Sequence, residues 1–230
     1  MLFRSNFMNN VNLLLNGNGV FIFEAPYFVN LLQANEYDTI YHEHLSYLSV
    51  KPLIPFFSKF DLEVFDIEQV DIHGGSFRVF VGKRGARPVS GEITRLLEQE
   101  KRSGIYTHGR LDRFAEQVEN NKRDLIWLLQ NLKHEGKRIV GVSAPAKGMT
   151  LLNYSKLKLN YIVDDNPLKH GLYTPGMHVP IKHPDVLKQE KEKILVVPLA
   201  WNFFDEIKQK TLERNKNVKF IRYFPELSFE

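Results

Sequence analysis

KRIVGVSAPAKGMTLLNYSKLKLNYIVDDNP, residues 137–167, reads as strand, helix and strand in quick succession. Residues 138–142 form an apolar strand, 147–154 a helix and 159–163 a second strand. The alternation continues with strands over 193–197 and 218–223, on either side of a helix over 202–213. Helices between apolar strands imply right-handed crossovers and a parallel sheet, so 137–230 is expected to be a compact parallel α/β domain.

Upstream the patterns differ. Leu111, Val118, Leu125 and Leu132 recur every seven residues, with Phe114 and Leu128 offset by three, which predicts a long amphipathic helix ended by Gly136. With a short helix near 93–100 in a polar, glycine-punctuated stretch, it makes 85–136 a helical connector. Before it, 62–70 and 77–81 read as two strands joined through His73-Gly74-Gly75-Ser76, an antiparallel hairpin. A helix is expected over 51–60, with Pro52 in its first turn. Residues 28–53 are poorly periodic and rich in aromatic and His residues. A short buried strand is expected over 20–23, behind the Asn16–Gly19 turn and a preceding helix, and 1–84 is taken as one region.

Composition narrows the function classes. The 230 residues are 43% hydrophobic and 25% charged, those of a chain able to bury a core. Thirty-one Lys plus Arg against 27 Asp plus Glu give a net charge of +4 with mixed signs, which disfavours a nucleic-acid partner. With no cysteine there is no disulfide, thiolate metal site or thiol nucleophile. No apolar run approaches the ~18 residues that span a bilayer, and residues 1–10 lack a signal-peptide pattern, so no membrane partner and a cytoplasmic location are expected.

Three clusters can carry chemistry. In Tyr41-His42-Glu43-His44 the two His are spaced i, i+2, unsuited to a helical metal site that wants i, i+4, so no metal is assigned. Acid–base work suits them better: an imidazole to take a proton, a carboxylate to orient it, a phenol to donate to an oxyanion. A polar loop satisfying its own backbone is the alternative. His73, Gly74, Gly75 and Ser76 let backbone approach a ligand, or simply turn a hairpin. Ser143, Ala144 and Lys147 sit at the first strand-to-helix turn of the carboxy-terminal region, where free N–H groups favour an anion. Asp164, Asp165 and Asn166, past the next strand, can take sugar hydroxyls or cap a turn before Pro167.

Read together, Phe-Glu-Ala-Pro-Tyr at 23–27, Tyr-Asp-Thr-Ile-Tyr-His-Glu-His-Leu-Ser at 37–46, Ile-His-Gly-Gly-Ser at 72–76, Ala-Pro-Ala-Lys-Gly at 144–148, and Asp-Asp-Asn-Pro-Leu-Lys with Tyr-Thr-Pro-Gly-Met-His at 164–178 resemble the sugar C-methyltransferases. The resemblance implies the end of a class I methyltransferase-like sheet, with its antiparallel hairpin, followed by a Rossmann-like domain. It implies a nucleotide-linked keto-deoxysugar as substrate, S-adenosylmethionine as methyl donor, and a base that forms the sugar enolate. His44 matches the family's base, and Tyr41 and Glu43 its assisting residues. Ser143, Lys147, Asn153 and 164–166 are candidates on the substrate side.

Family members begin with a Cys-rich zinc domain and a glycine-rich strand-turn-helix for S-adenosylmethionine, and no segment here matches either. The resemblance therefore covers the carboxy-terminal portion. Two expectations follow: an enzyme chain, partial or completed by a separate amino-terminal chain, or a catalytically silent sugar-nucleotide-binding or scaffold protein.

Overall fold

The structure, a computed structural model, describes residues 2–72 and 74–230. By contacts the chain divides into two compact units, 1–34 with 46–113, and 35–45 with 114–230. The stretch 85–136 contributes to both, and the short segment 35–45 belongs with the carboxy-terminal unit.

The first unit is built on an antiparallel sheet of β1 (Phe21–Pro26), β2 (Leu62–Val70) and β3 (Ser76–Lys83), with β3 in the middle. The expected hairpin is β2–β3, closing at Val70 opposite Ser76. β1 is an edge strand whose residues alternate between half-buried and exposed, and Ile22 is exposed, so the expectation of a buried strand is corrected. Its last residue, Pro26, is tolerated because an edge strand has a side with no ladder to donate to. Phe77, Val79 and Val81 of β3 alternate onto the buried face with Leu62, Val64 and Ile67 of β2. Around this sheet run α1 (Leu2–Leu14), α2 (Phe28–Gln33), α3 (Val50–Ser58) and α4 (Gly91–Ser103). The helix α2 stands where irregular chain was expected, since six residues, three of them the buried Val29, Leu31 and Leu32, are too few to show a helical period. Ser90 caps α4 through the Glu92 N–H, and left-handed Gly104 ends it.

The second unit carries a sheet of β4 (Ile139–Val142), β5 (Tyr161–Val163), β6 (Ile181–Lys182), β7 (Ile194–Pro198), β8 (Val218–Arg222) and β9 (Ser228–Phe229) in the order β6-β5-β4-β7-β8-β9. All neighbours are parallel except β8 and β9. The expected parallel sheet is present, corrected by an antiparallel edge and by β6, two-residue strands too short to show a period. The long helix α5 (His108–His134), read from its heptads, turns Val118, Leu125 and Leu129 into one core with Ile139, Ile162, Leu195 and Val197. α6 (Ala146–Tyr154) joins that core through Leu151 and Leu152. The opposite sheet face, with Val140, Tyr161, Val163 and Val196, packs on Phe204 of α7 (Phe204–Arg214). Both faces are thus covered, and strand order reverses between β4 and β7, which places a crevice at their carboxyl ends.

Candidate functional site

Segment 35–45 is a polar strap whose centre is buried. Tyr37, Asp38 and Thr39 form a single 3₁₀ turn, and Asp38 is 0% exposed. Tyr37 enters the core edge-on to Phe224, with ring centres 5.1 Å apart, and its hydroxyl donates to Asn121 Oδ1 at 3.0 Å. Asn121 Nδ2 in turn donates to the Tyr223 carbonyl at 2.9 Å. The Trp201 indole N–H donates to Asp38 Oδ2 at 2.9 Å, and the Thr39 hydroxyl to the Glu36 carbonyl at 2.7 Å. Sequence reasoning missed Asp38, Asn121 and Trp201. All three are distant in the chain, and no local pattern joins them.

The turn hands its orientation to His44. Thr39 carbonyl oxygen and His44 Nδ1 lie 2.7 Å apart, and since a carbonyl only accepts, Nδ1 carries a proton, which in the neutral imidazole leaves the lone pair on Nε2. The Tyr41 ring tilts over the His44 ring with centres 4.2 Å apart, and the His44 backbone N–H donates to the Tyr41 carbonyl at 2.9 Å. Burial, then Glu43 and Asp38, raise the Tyr41 phenol, so it stays a donor at neutral pH. His42 and Glu43 are exposed and His44 is half-buried.

Behind the strap sits an electrostatic cluster. Burial, and then Asp38, push Glu36 up to about 8, while Lys147 acts the other way. Burial pushes Asp38 up to about 7 against Lys147, the Trp201 N–H and the backbone N–H groups of Asp38 and Thr39. Burial lowers the Lys147 ammonium, opposed by Asp38 and Glu36. Lys147 lies in the first turn of α6, donates to Asn202 Oδ1 at 2.8 Å and stands 4.7 Å from the Trp201 ring centre. Glu36 Oε1 and Asp38 Oδ1 are buried and meet no protein partner.

The other candidates are placed as follows. Ser143 ends β4 in the left-handed region at φ 68°, and Ala144 N donates to Asp164 Oδ2 at 2.7 Å. Asp164 also takes the Lys169 ammonium at 3.0 Å and the Asn166 N–H at 2.9 Å, so it fastens two turns at neighbouring strand ends. Asn166 caps the Pro167–Lys169 turn. Asn153 Nδ2 donates to the Met149 and Pro175 carbonyls. A cavity of about 290 Å³ at the carboxyl ends of β4 and β5 is lined by Ser143, Asp165, Phe203, Lys210 and Arg214 among others; Asp165 pairs with Arg214 at 3.4 Å. In the first unit, Gly74 and Gly75 both have positive φ, and a Cβ on Gly75 would collide with the Asn30 side chain. Ser76 is buried, its hydroxyl donating to the Ile72 carbonyl at 3.0 Å. His73 lies outside the described residues. Tyr41, Glu43, His44 and Lys147 thus belong to the second unit, whereas Gly74, Gly75 and Ser76 belong to the first.

Residues 71–225 match the family described as C-methyltransferase C-terminal domain. The chain belongs to that family. It is also 34% identical over 224 residues to the C-methyltransferase NovU of Streptomyces niveus, covering 95% of this chain and 53% of the relative. The chain therefore spans about half the length of the curated relative it matches. Among the described residues no group of three His, Asp or Glu is placed to hold a metal, and no helix is long and apolar enough to cross a membrane.

Proposed function

We propose that this chain supplies the enolising half of a C-methyltransferase acting on a nucleotide-linked keto-deoxysugar, with His44 as the base. The observation that carries the reading is the Thr39 carbonyl on His44 Nδ1, which leaves Nε2 bare. Abstraction beside a ketone needs a fixed lone pair and a donor at the oxygen that becomes anionic. The C–H bond breaks, its proton goes to Nε2, and its electron pair becomes the new C=C bond. The carbonyl oxygen takes the displaced charge and a hydrogen bond from the Tyr41 hydroxyl. Glu43, exposed beside His44, favours the imidazolium so formed. Ser143, Ala144, Lys147 and 164–166 stand at strand ends and on the first turns beyond them, where α/β sheets take their ligands, while Asn153 stands in the last turn of α6.

Family membership implies S-adenosylmethionine as the methyl donor. The described residues do not fit it well. The first unit's sheet is antiparallel, and in the second the Ala144 N–H at the strand-to-helix turn is already taken by Asp164.

The test is solvent exchange. A nucleotide-linked keto-deoxysugar incubated with the 230-residue chain in heavy water is expected to exchange its α-hydrogen. His44→Ala is expected to slow this by ~10²–10⁴-fold. Equal exchange in His44→Ala, or none in the native chain with the sugar bound, overturns the assignment.

A further inference from the structure

Thr39 is the last residue of a single 3₁₀ turn, and one isolated turn has no stability of its own. The direction of its carbonyl therefore comes from what its neighbours are fastened to. Tyr37 fixes one side of the turn through Asn121 and the aromatic core. Asp38 fixes the other through Trp201. A fully buried carboxyl whose one side-chain donor is the Trp201 indole is a costly way to fill space. A leucine would fill it without that cost. What a leucine lacks is an acceptor, and the acceptor sits one peptide away from the carbonyl that holds His44.

We propose that Asp38, anchored by Trp201, is a positioning residue for His44, acting through the Thr39 carbonyl to keep the imidazole in its Nδ1–H form. The idea rests on the reading of His44 as the base, yet its test does not need the reaction. If the tautomer obeys Asp38 while α-exchange persists without His44, only the base assignment falls.

The experiment is nitrogen-15 NMR of the histidine side chains in the full 230-residue chain, where long-range proton–nitrogen couplings distinguish the two neutral tautomers. His44 is assigned by the loss of its signals in His44→Gln. His170 serves as an internal reference for the same unit, because its Nε2 donates to the Asp164 carbonyl at 2.7 Å. The native chain is expected to show Nδ1–H at His44 and Nε2–H at His170. Trp201→Phe, which keeps a ring and removes the N–H, is expected to move the His44 ratio roughly five- to tenfold toward Nε2–H, the worth of one buried hydrogen bond, with His170 unchanged. Asp38→Leu is expected to do the same. Asp38→Asn, whose amide oxygen still accepts from the indole, is expected to keep the native pattern. If Asp38→Leu disturbs His170 as well, Trp201→Phe decides. A His44 tautomer unmoved in Trp201→Phe, or already Nε2–H in the native chain, overturns the proposal.

Discussion

Asp164 Oδ2 accepts the backbone N–H of Ala144 at 2.7 Å, so one carboxylate ties the turn after β4 to the turn after β5. Burial works against its ionisation, but the N–H groups of Asn166 and Ala144 and the Lys169 ammonium win and hold it below the usual carboxylate range. Because the folded pKa is depressed, its stabilisation is full above about pH 4 and is lost as pH falls further. Asp164→Ala is expected to cost about 3 kcal/mol in urea unfolding at pH 7. The gap from the native chain should narrow below about pH 4; a gap that widens there contradicts this account.

Glu100 plays the corresponding part in the first unit. It is 0% exposed, and its two oxygens accept the N–H groups of Val50 and Lys51 at the start of α3 and the hydroxyls of Tyr27 and Tyr106. Glu100→Ala is expected to cost about 3–5 kcal/mol in equilibrium unfolding of that unit. Glu100→Gln should rescue little, since either rotation of the amide turns an NH₂ toward a backbone donor. Full rescue by Gln means the charge and the second acceptor count for nothing.

The expectations that held share a local cause. The β2–β3 hairpin announced itself by alternation around paired glycines, and α5 by heptads that bury Val118 and Leu125. His44 and Tyr41 could be singled out as candidates because they lie in one short motif. What stayed hidden is non-local: Trp201 meets Asp38 across 163 residues, and Asn121 was lost among the polar positions of an amphipathic helix until Tyr37 reached it. The turn cap, one of the two readings open for Asp164, is present in the Asn166 N–H on its Oδ1, but nothing in the sequence says that its Oδ2 is taken by Ala144 and Lys169.

Asp38 and Glu36 predict the opposite pH response from Asp164. Their folded pKa values are raised to about 7 and about 8, so the folded chain keeps protons that the unfolded chain sheds above about pH 4. Their contribution is full below that and is lost as pH rises through 7 and 8. Unfolding free energy of the second unit is expected to fall between pH 5 and 8, by at most ~1.4 kcal/mol per pH unit for each proton. Asp38→Asn, which cannot ionise, should flatten the slope. Denaturant titrations at several pH values, followed by Trp fluorescence, check this; an unchanged slope in Asp38→Asn assigns the effect elsewhere.

Tyr41 separates two roles that one side chain combines. Its ring lies 4.2 Å from that of His44, while its hydroxyl is the proposed donor to the enolate oxygen. Tyr41→Phe keeps the ring contact and removes only the donor, so α-hydrogen exchange into heavy water is expected to slow by ~10²–10³-fold, the worth of one oxyanion donor. Sugar binding should change little, because the ketone carries almost no negative charge before the proton leaves. Tyr41→Ala removes the contact as well, and its further loss measures how much the ring steadies His44. The order Ala slower than Phe, and Phe slower than the native chain, is the expected outcome in rates measured at saturating sugar. Phe exchanging at the native rate would take the hydroxyl out of the mechanism and leave Tyr41 a packing partner of His44.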